Sequence, residues 1–239
     1  MENSERKLFI PVQKRTVTTA ILVDGAFYRK RAKYFNGQIS PAERADELEE
    51  HCHKLLRADK FETRNLYRIF YYDCPPLDKN ILDPITQKTV NLGKSDEYIW
   101  MTEFLEKLKQ KRKFALRLGR LSDTSIEYNL KYDTLKKLLS GKKSVSDITK
   151  ADLTLNIEQK GVDMRIGIDI SSLAYKRQVN QIILISGDSD FVPAAKQARR
   201  EGIDFILNPL GAPIKKDLFE HIDGLIDRYP NKISKEILT

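Results

Sequence analysis

The stretch that most limits what this chain can become is Ile182-Ile183-Leu184-Ile185-Ser186-Gly187-Asp188-Ser189-Asp190-Phe191-Val192-Pro193. Four apolar, mostly β-branched residues run into Ser-Gly, then two aspartates one residue apart, then a helical pattern. Such a run reads as a strand buried on both faces, as in parallel sheets, that ends in a tight turn carrying carboxylates. Open α/β sheets bind their ligands at the carboxyl ends of the strands, so this turn is where acidic side chains can do chemistry. Asp190 is equally well placed to cap the helix that follows. One strand end does not choose between the two roles.

Two further boundaries carry the same residue type. Val17-Thr18-Thr19-Ala20-Ile21-Leu22-Val23 is a second β-branched run, closed by Asp24-Gly25, and a helical mix follows from Phe27 to Phe35. Lys160-Gly161-Val162-Asp163 opens a helix whose apolar residues include Val162, Ile166, Ile170 and Leu173. Asp163 falls in its first turn, where the helix dipole also favours a carboxylate. Asp169 follows about two-thirds of a turn away in direction at 3.6 residues per turn, so it is not a first choice to share Asp163's target.

The remaining elements alternate in the βα manner. Ser40-Pro41-Ala42-Glu43 is a capping box with Pro at the first helical position. Asn65 to Asp73 is a strand closed by Cys74-Pro75-Pro76, and a loop runs on to Gly93. Ser95 caps a helix with Tyr98, Met101, Leu105 and Leu108 on one face. Lys113 to Arg120 alternates like a third strand. After the central segment, Asp190 to Glu201 is a helix ended by Gly202, Ile203 to Asn208 a strand, Ile214 to His221 a short helix, and Gly224-Leu225-Ile226 an added edge.

The rhythm breaks between about residues 122 and 158. That region holds Lys131, Lys136, Lys137, Lys142, Lys143 and Lys150 with Tyr128 and Tyr132. Tyr132, Leu135, Leu138 and Leu139 suit a short amphipathic helix, and Leu153 to Ile157 a strand. We read it as a basic insertion within one domain spanning 16–230, preceded by an arm (1–15) and followed by a tail (231–239). Its lysines suit phosphates and its tyrosines base stacking; a solvated helix face explains the same residues.

A chain of 239 residues with 41% hydrophobic and 32% charged residues has the composition of a globular domain. No apolar run approaches the ~18 residues needed to span a bilayer, and no signal-peptide core is present, so no membrane association and a cytoplasmic location are expected. Cys52 and Cys74 make no disulfide framework, and His51-Cys52-His53 has no usual zinc spacing. The net charge of +8 favours a polyanionic partner such as nucleic acid. Oligomeric state, including a homo-oligomer, is left open.

In a parallel sheet Asp24, Asp163, Asp188 and Asp190 gather at one edge. Carboxylates that close do not all stay ionised comfortably without a cation, and oxygen ligands suit Mg²⁺ or Mn²⁺. A basic protein with such a site points to metal-assisted phosphodiester hydrolysis. The segments Ile21-Leu22-Val23-Asp24-Gly25, Lys160-Gly161-Val162-Asp163 and Ser186-Gly187-Asp188-Ser189-Asp190-Phe191-Val192-Pro193 resemble the NYN domain family, a branch of the PIN-like nuclease fold. The resemblance runs from about Val17 to Asp227, apart from the insertion. It implies an α/β fold, a Rossmann-like parallel sheet of order 3-2-1-4-5 with helices on both faces, and a metal-dependent ribonuclease site. Carried over by motif, Asp24, Asp163 and Asp188 are the expected metal-binding carboxylates, with Asp190 a fourth. Family members commonly place Asn three residues after the first Asp, where this chain has Phe27. The loss of that amide shifts water or phosphate positioning to Ser186 or Ser189, or lowers turnover.

RNA is the expected partner, with single-stranded DNA the other candidate. Lys196, Arg199 and Arg200 on the helix after Asp190, with Lys136 and Lys137, are the expected phosphate contacts. The rival reading is a binding or regulatory module that keeps the fold without turnover. An aspartate phosphotransferase is disfavoured because Ala26 stands where its general acid belongs. Dinucleotide chemistry is disfavoured because no Gly-x-Gly-x-x-Gly follows Val23, and there is no P-loop.

Overall fold

The computed structural model describes residues 14–57 and 62–227. The arm expected over 1–15 lies almost wholly outside the described residues, and the tail over 231–239 lies entirely outside them. In chain order the elements are β1 (Arg15–Asp24), α1 (Gly25–Asn36), α2 (Pro41–Leu56), β2 (Glu62–Asp73), β3 (Asn80–Leu82), β4 (Thr89–Asn91), α3 (Asp96–Gln110), β5 (Phe114–Leu118) and β6 (Arg120–Leu130). They continue with α4 (Tyr132–Leu139), β7 (Leu153–Lys160), α5 (Val162–Tyr175), β8 (Gln181–Ile185), α6 (Val192–Arg200), β9 (Asp204–Asn208), α7 (Lys216–Glu220) and β10 (Gly224–Leu225).

The main sheet runs β10-β9-β8-β1-β2-β5, and every pairing in it is parallel. β1 lies at the centre with Val23 opposite Tyr71 on one side and Ile185 on the other. Successive side chains of a strand point to opposite faces, and the core divides accordingly. Ala20, Leu22, Phe70, Tyr72, Ile182 and Leu184 pack against α5 and α6, with Ile166, Ile170, Ala195 and Ala198 among their partners. Ile21, Val23, Ile69, Tyr71, Ile183 and Ile185 pack against α1, α2 and α3, with Tyr28, Leu48, Phe104 and Leu108. All five residues of β8 are buried, which is why it reads as an unbroken apolar run.

Local signals set several boundaries. Ser40 caps α2 with the reciprocal bonds of a capping box to Glu43, and Ser95 caps α3 by accepting from the Tyr98 N–H. The loop expected before Gly93 contains the β3–β4 hairpin. The 120–160 region is a long antiparallel hairpin, β6 with β7, carrying α4 at its far end. Its tip is tied back to the loop of the β3–β4 hairpin by Lys150 and Asp83 at 2.6 Å. Asp190 does not cap the next helix. Asp188 does the capping, accepting from the Asp190 N–H at 3.0 Å, and a short 3₁₀ turn over Ser189–Phe191 precedes α6. That cap belongs to the 3₁₀ turn and lies two residues ahead of the expected position; α6 itself begins at Val192 without a side-chain cap and with Pro193 in its first turn.

Candidate metal and nucleic-acid site

The four aspartates singled out by sequence come from three places that the parallel sheet brings to its carboxyl edge. Asp24 ends β1, Asp163 is in the first turn of α5, and Asp188 and Asp190 follow β8. Asp24 is held on both oxygens: the Phe27 N–H donates to Oδ1 at 3.1 Å and the Ser186 hydroxyl to Oδ2 at 3.1 Å. Ser186 is fully buried and in turn accepts from the Asp188 N–H at 3.3 Å. This serine therefore ties the end of β1 to the turn after β8.

The charges feel one another. Burial pushes the Asp24 carboxyl up to about 6, against the pull of its two hydrogen bonds, and the fields of Asp163 and Asp73 add to the rise. Partial enclosure raises Asp163 as well, followed by the fields of Asp188 and Asp190. None of the four forms an ion pair among the described residues. Nor do three His, Cys, Asp or Glu side chains converge closely enough among the described residues to form a ready-made metal cage. The arrangement is an open set of like charges lined entirely by oxygen donors. That donor set fits Mg²⁺, which keeps several waters and is commonly held by one or two carboxylates plus substrate phosphate.

Close approach fixes two glycines here. A Cβ on Gly25 would lie 2.5 Å from Asp73 Oδ2 and from the Tyr71 ring. A Cβ on Gly187 would lie 2.8 Å from Phe27 Cε2. The Phe27 ring thus lies directly over the turn that carries Ser186 and Asp188, so the residue replacing the family's Asn faces the site.

Two other aspartates near this edge are engaged elsewhere. Asp73, fully buried at the end of β2, accepts from Arg29 Nε and Nη2 at 3.0 and 3.1 Å, from the Tyr71 hydroxyl at 2.8 Å and from the Cys74 N–H at 2.8 Å. Asp169 accepts from the Tyr72 hydroxyl at 2.8 Å and from Arg117 Nε at 3.1 Å, joining α5 to β2 and β5. Both cysteines are free and buried, and burial raises their thiols.

The expected phosphate contacts lie away from the carboxylates. Lys196, Arg199 and Arg200 line an open basin of about 820 Å³ with Arg15, Asn180 and Asp204, at the amino edge of the sheet. α6 starts beside Asp190 and runs back toward that edge, covering about 13 Å at 1.5 Å per residue over its nine residues. Lys136 and Lys137 are exposed on α4, separated from Asp163 by the length of β7, roughly 25 Å at 3.3 Å per residue. The cation that the fold does bring to the acidic turn is Lys215, whose Nζ donates to Ser189 Oγ at 3.0 Å. It was not singled out by sequence, since the Pro209–Pro213 turn that returns it to β8's end has no charge pattern to announce it.

No curated protein matches the chain. A solved structure of a protein of unknown function from Vibrio parahaemolyticus is similar at 14% identity, covering 90% of this chain and 94% of that one with a TM-score of 0.47. The NYN domain model matches residues 99–221, a stretch that contains Asp163, Asp188 and Asp190 but not Asp24. That match spans just over half of the 239 residues, and the chain belongs to the NYN domain family.

Proposed function

We propose that the chain is a divalent-metal-dependent ribonuclease acting through Asp24, Asp163, Asp188 and Asp190. The observation that carries this reading is the unpaired acidic edge, where Asp24 and Asp163 are both raised in part by neighbouring carboxylates. Uncompensated like charges at a strand-end crevice are costly to keep, and a cation drawn from solution offsets that cost. Membership of the NYN family and the strand order β5-β2-β1-β8-β9-β10, read as PIN-like, support the same conclusion.

Asp24, Asp163 and Asp188 would hold Mg²⁺ or Mn²⁺, with Asp190 at the outer side. Bound there, the ion supplies Lewis-acid polarisation of the phosphate and eases ionisation of the attacking water. The chain's own groups do the rest. Ser186 and the Phe27 N–H fix the Asp24 carboxylate so that one orientation faces the crevice. Lys215 and the Ser189 hydroxyl stand where a phosphate oxygen can be bound by charge-assisted hydrogen bonds. Water would attack phosphorus and pass its proton to a carboxylate, while the P–O bond to the departing ribose oxygen breaks in line and that oxygen takes up a proton from solvent. The lysines of α4, including Lys136 and Lys137, serve as an outlying polyanion contact.

Phe27 favours a second reading, an RNA-binding module with little turnover, because its ring packs on Gly187 where an amide would otherwise be available. One experiment separates the two. RNA and single-stranded DNA are incubated with the protein with and without Mn²⁺, alongside Asp188→Asn. The ribonuclease reading expects RNA shortening that needs Mn²⁺ and disappears in the variant. Metal-independent binding with no shortening establishes the module instead.

A further inference from the structure

A second cavity opens beside the carboxylates. It has a volume of about 310 Å³ and lies between the end of β2, the segment leading into α3, α3 itself and the β6–β7 hairpin. This is the small end of the ~300–1,000 Å³ range for ligand pockets, enough for one planar group and too little for a stretch of chain. Leu77, Leu92, Tyr98, Met101, Leu155 and Ile157 form its apolar walls. Leu155, Ile157 and Gln159 alternate along β7, so one face of that strand supplies a whole wall. The polar groups are the exposed Gln159, Ser95, the Tyr98 hydroxyl and Arg29, which pairs with Asp73 at 3.0 Å and with Glu97 at 3.7 Å. Flat apolar walls with an amide at the edge match a nucleobase, which has apolar faces and a rim of donors and acceptors.

The cavity shares a wall with the acidic site. Asp73 lines it and lies against Gly25, the residue that follows Asp24. Cys74 also lines it, and its sulfur, Val162 and the Lys160 carbonyl crowd Gly119 one residue from Asp163. On the far side of Arg29, a neighbouring recess presents Lys30 and Lys33 beside Trp100. Both lysines are exposed and form no ion pair among the described residues. Acidic crevice, apolar cavity and basic recess therefore follow one another along the carboxyl edge and α1.

We propose that this cavity takes one unstacked base of a single-stranded RNA whose neighbouring phosphate lies at the carboxylates, with the next phosphates passing over Lys30 and Lys33. The proposal rests on the ribonuclease reading and deepens it, giving the β6–β7 hairpin of this chain the role of one wall of a base pocket.

Binding of single-stranded RNA ten-mers, each with one abasic nucleotide at a different position, tests it with Ca²⁺ as the one divalent ion, which oxygen ligands also bind and which keeps the phosphate from meeting bare carboxylates. One position is expected to weaken binding roughly 5- to 150-fold, the range for a single stacked base. Leu155→Trp, which fills the cavity, is expected to bind the intact ten-mer as weakly as the wild type binds that abasic one, and to lose the position dependence. Gln159→Ala, at an exposed position that does not threaten folding, is expected to reduce the position dependence at least threefold. A flat scan, or a position dependence unchanged in both variants, overturns the proposal. Cleavage with Mn²⁺ and a flat scan refutes the base pocket alone; a stepped scan without cleavage refutes the nuclease alone.

Discussion

The two edges of the sheet treat charge in opposite ways. At the amino edge, carboxylates have polar partners: Arg199 pairs with Asp223 at 2.8 Å, and the neutral Gln181 amide donates to Asp204 at 2.6 Å and to Glu62 at 3.2 Å. At the carboxyl edge, Asp24, Asp163, Asp188 and Asp190 form no ion pair among the described residues, and Asp24 and Asp163 are raised in part by neighbouring carboxylates. A matched lattice contributes to holding the domain together. An unmatched one is a standing cost that makes sense when something from solution completes it. Lys196, Arg199 and Arg200 thus lie at the edge whose carboxylates already have hydrogen-bond or ion-pair partners.

Breaking the acidic edge should give the largest effect. Asp188→Asn and Asp24→Asn are each expected to lower Mn²⁺-dependent RNA cleavage by about a hundredfold or more, the scale of losing a principal electrostatic group. Circular dichroism and thermal melts should show both variants folded. Retention of wild-type rates would erase the distinction between the edges.

Lys215→Ala sharpens the same side of the comparison. Loss of one charge-assisted contact to phosphate is expected to cost about tenfold in kcat/KM, equivalent to about 1.4 kcal/mol. A change of less than twofold removes Lys215 from the site.

The acidic edge should also reveal itself in stability. Asp24 is raised from 3.8 to about 6, so its protonated form is the one that the fold favours. Its contribution to stability is full below pH 3.8 and is lost as pH rises through about 6. In EDTA, thermal melts of the wild type should fall across that window, and Asp24→Asn should flatten the fall and melt higher at pH 7.5. Ion binding needs the carboxylate ionised, so added Mn²⁺ should stabilise the wild type above pH 6 and have little effect at pH 4.5.

The smallest effect belongs to the amino edge. Replacing Lys196, Arg199 and Arg200 together by Ala should leave cleavage of short oligonucleotides within about threefold, while affinity for long RNA becomes less salt-dependent. A hundredfold loss on short substrates would place the phosphate path at the amino edge and reverse the comparison.

Much of the architecture was legible because it rests on local chemistry. The apolar run Ile182–Ile185, the capping boxes and the strand-closing aspartates each declare themselves within a few residues. That these aspartates sit along one edge was legible too, since parallel strands put their carboxyl ends on one side; among the described residues they do not close into a three-carboxylate cage. What sequence did not show depends on direction and long-range closure. Lys196, Arg199 and Arg200 follow Asp190 closely along the chain, yet α6 carries them to the other edge. Lys215 reaches Ser189 only through a non-repetitive turn. Strand β6 begins at Arg120, just ahead of the stretch read as an insertion, and runs into it to Leu130; its polar, Ser-rich start hides the alternation that marks other strands. Asp190 as a helix cap was a sound local expectation that Asp188 overrode, because Asp188 accepts from the Asp190 N–H and starts a 3₁₀ turn two residues earlier.

The central claim is that separate carboxylates at the carboxyl edge share a divalent ion, and Mn²⁺ titration followed by calorimetry tests it most directly. At pH 7.5 the wild type should show saturable binding that weakens at least tenfold in Asp163→Asn and fades toward pH 5. Absence of saturable binding, or equal affinity in the wild type and Asp163→Asn, would contradict it.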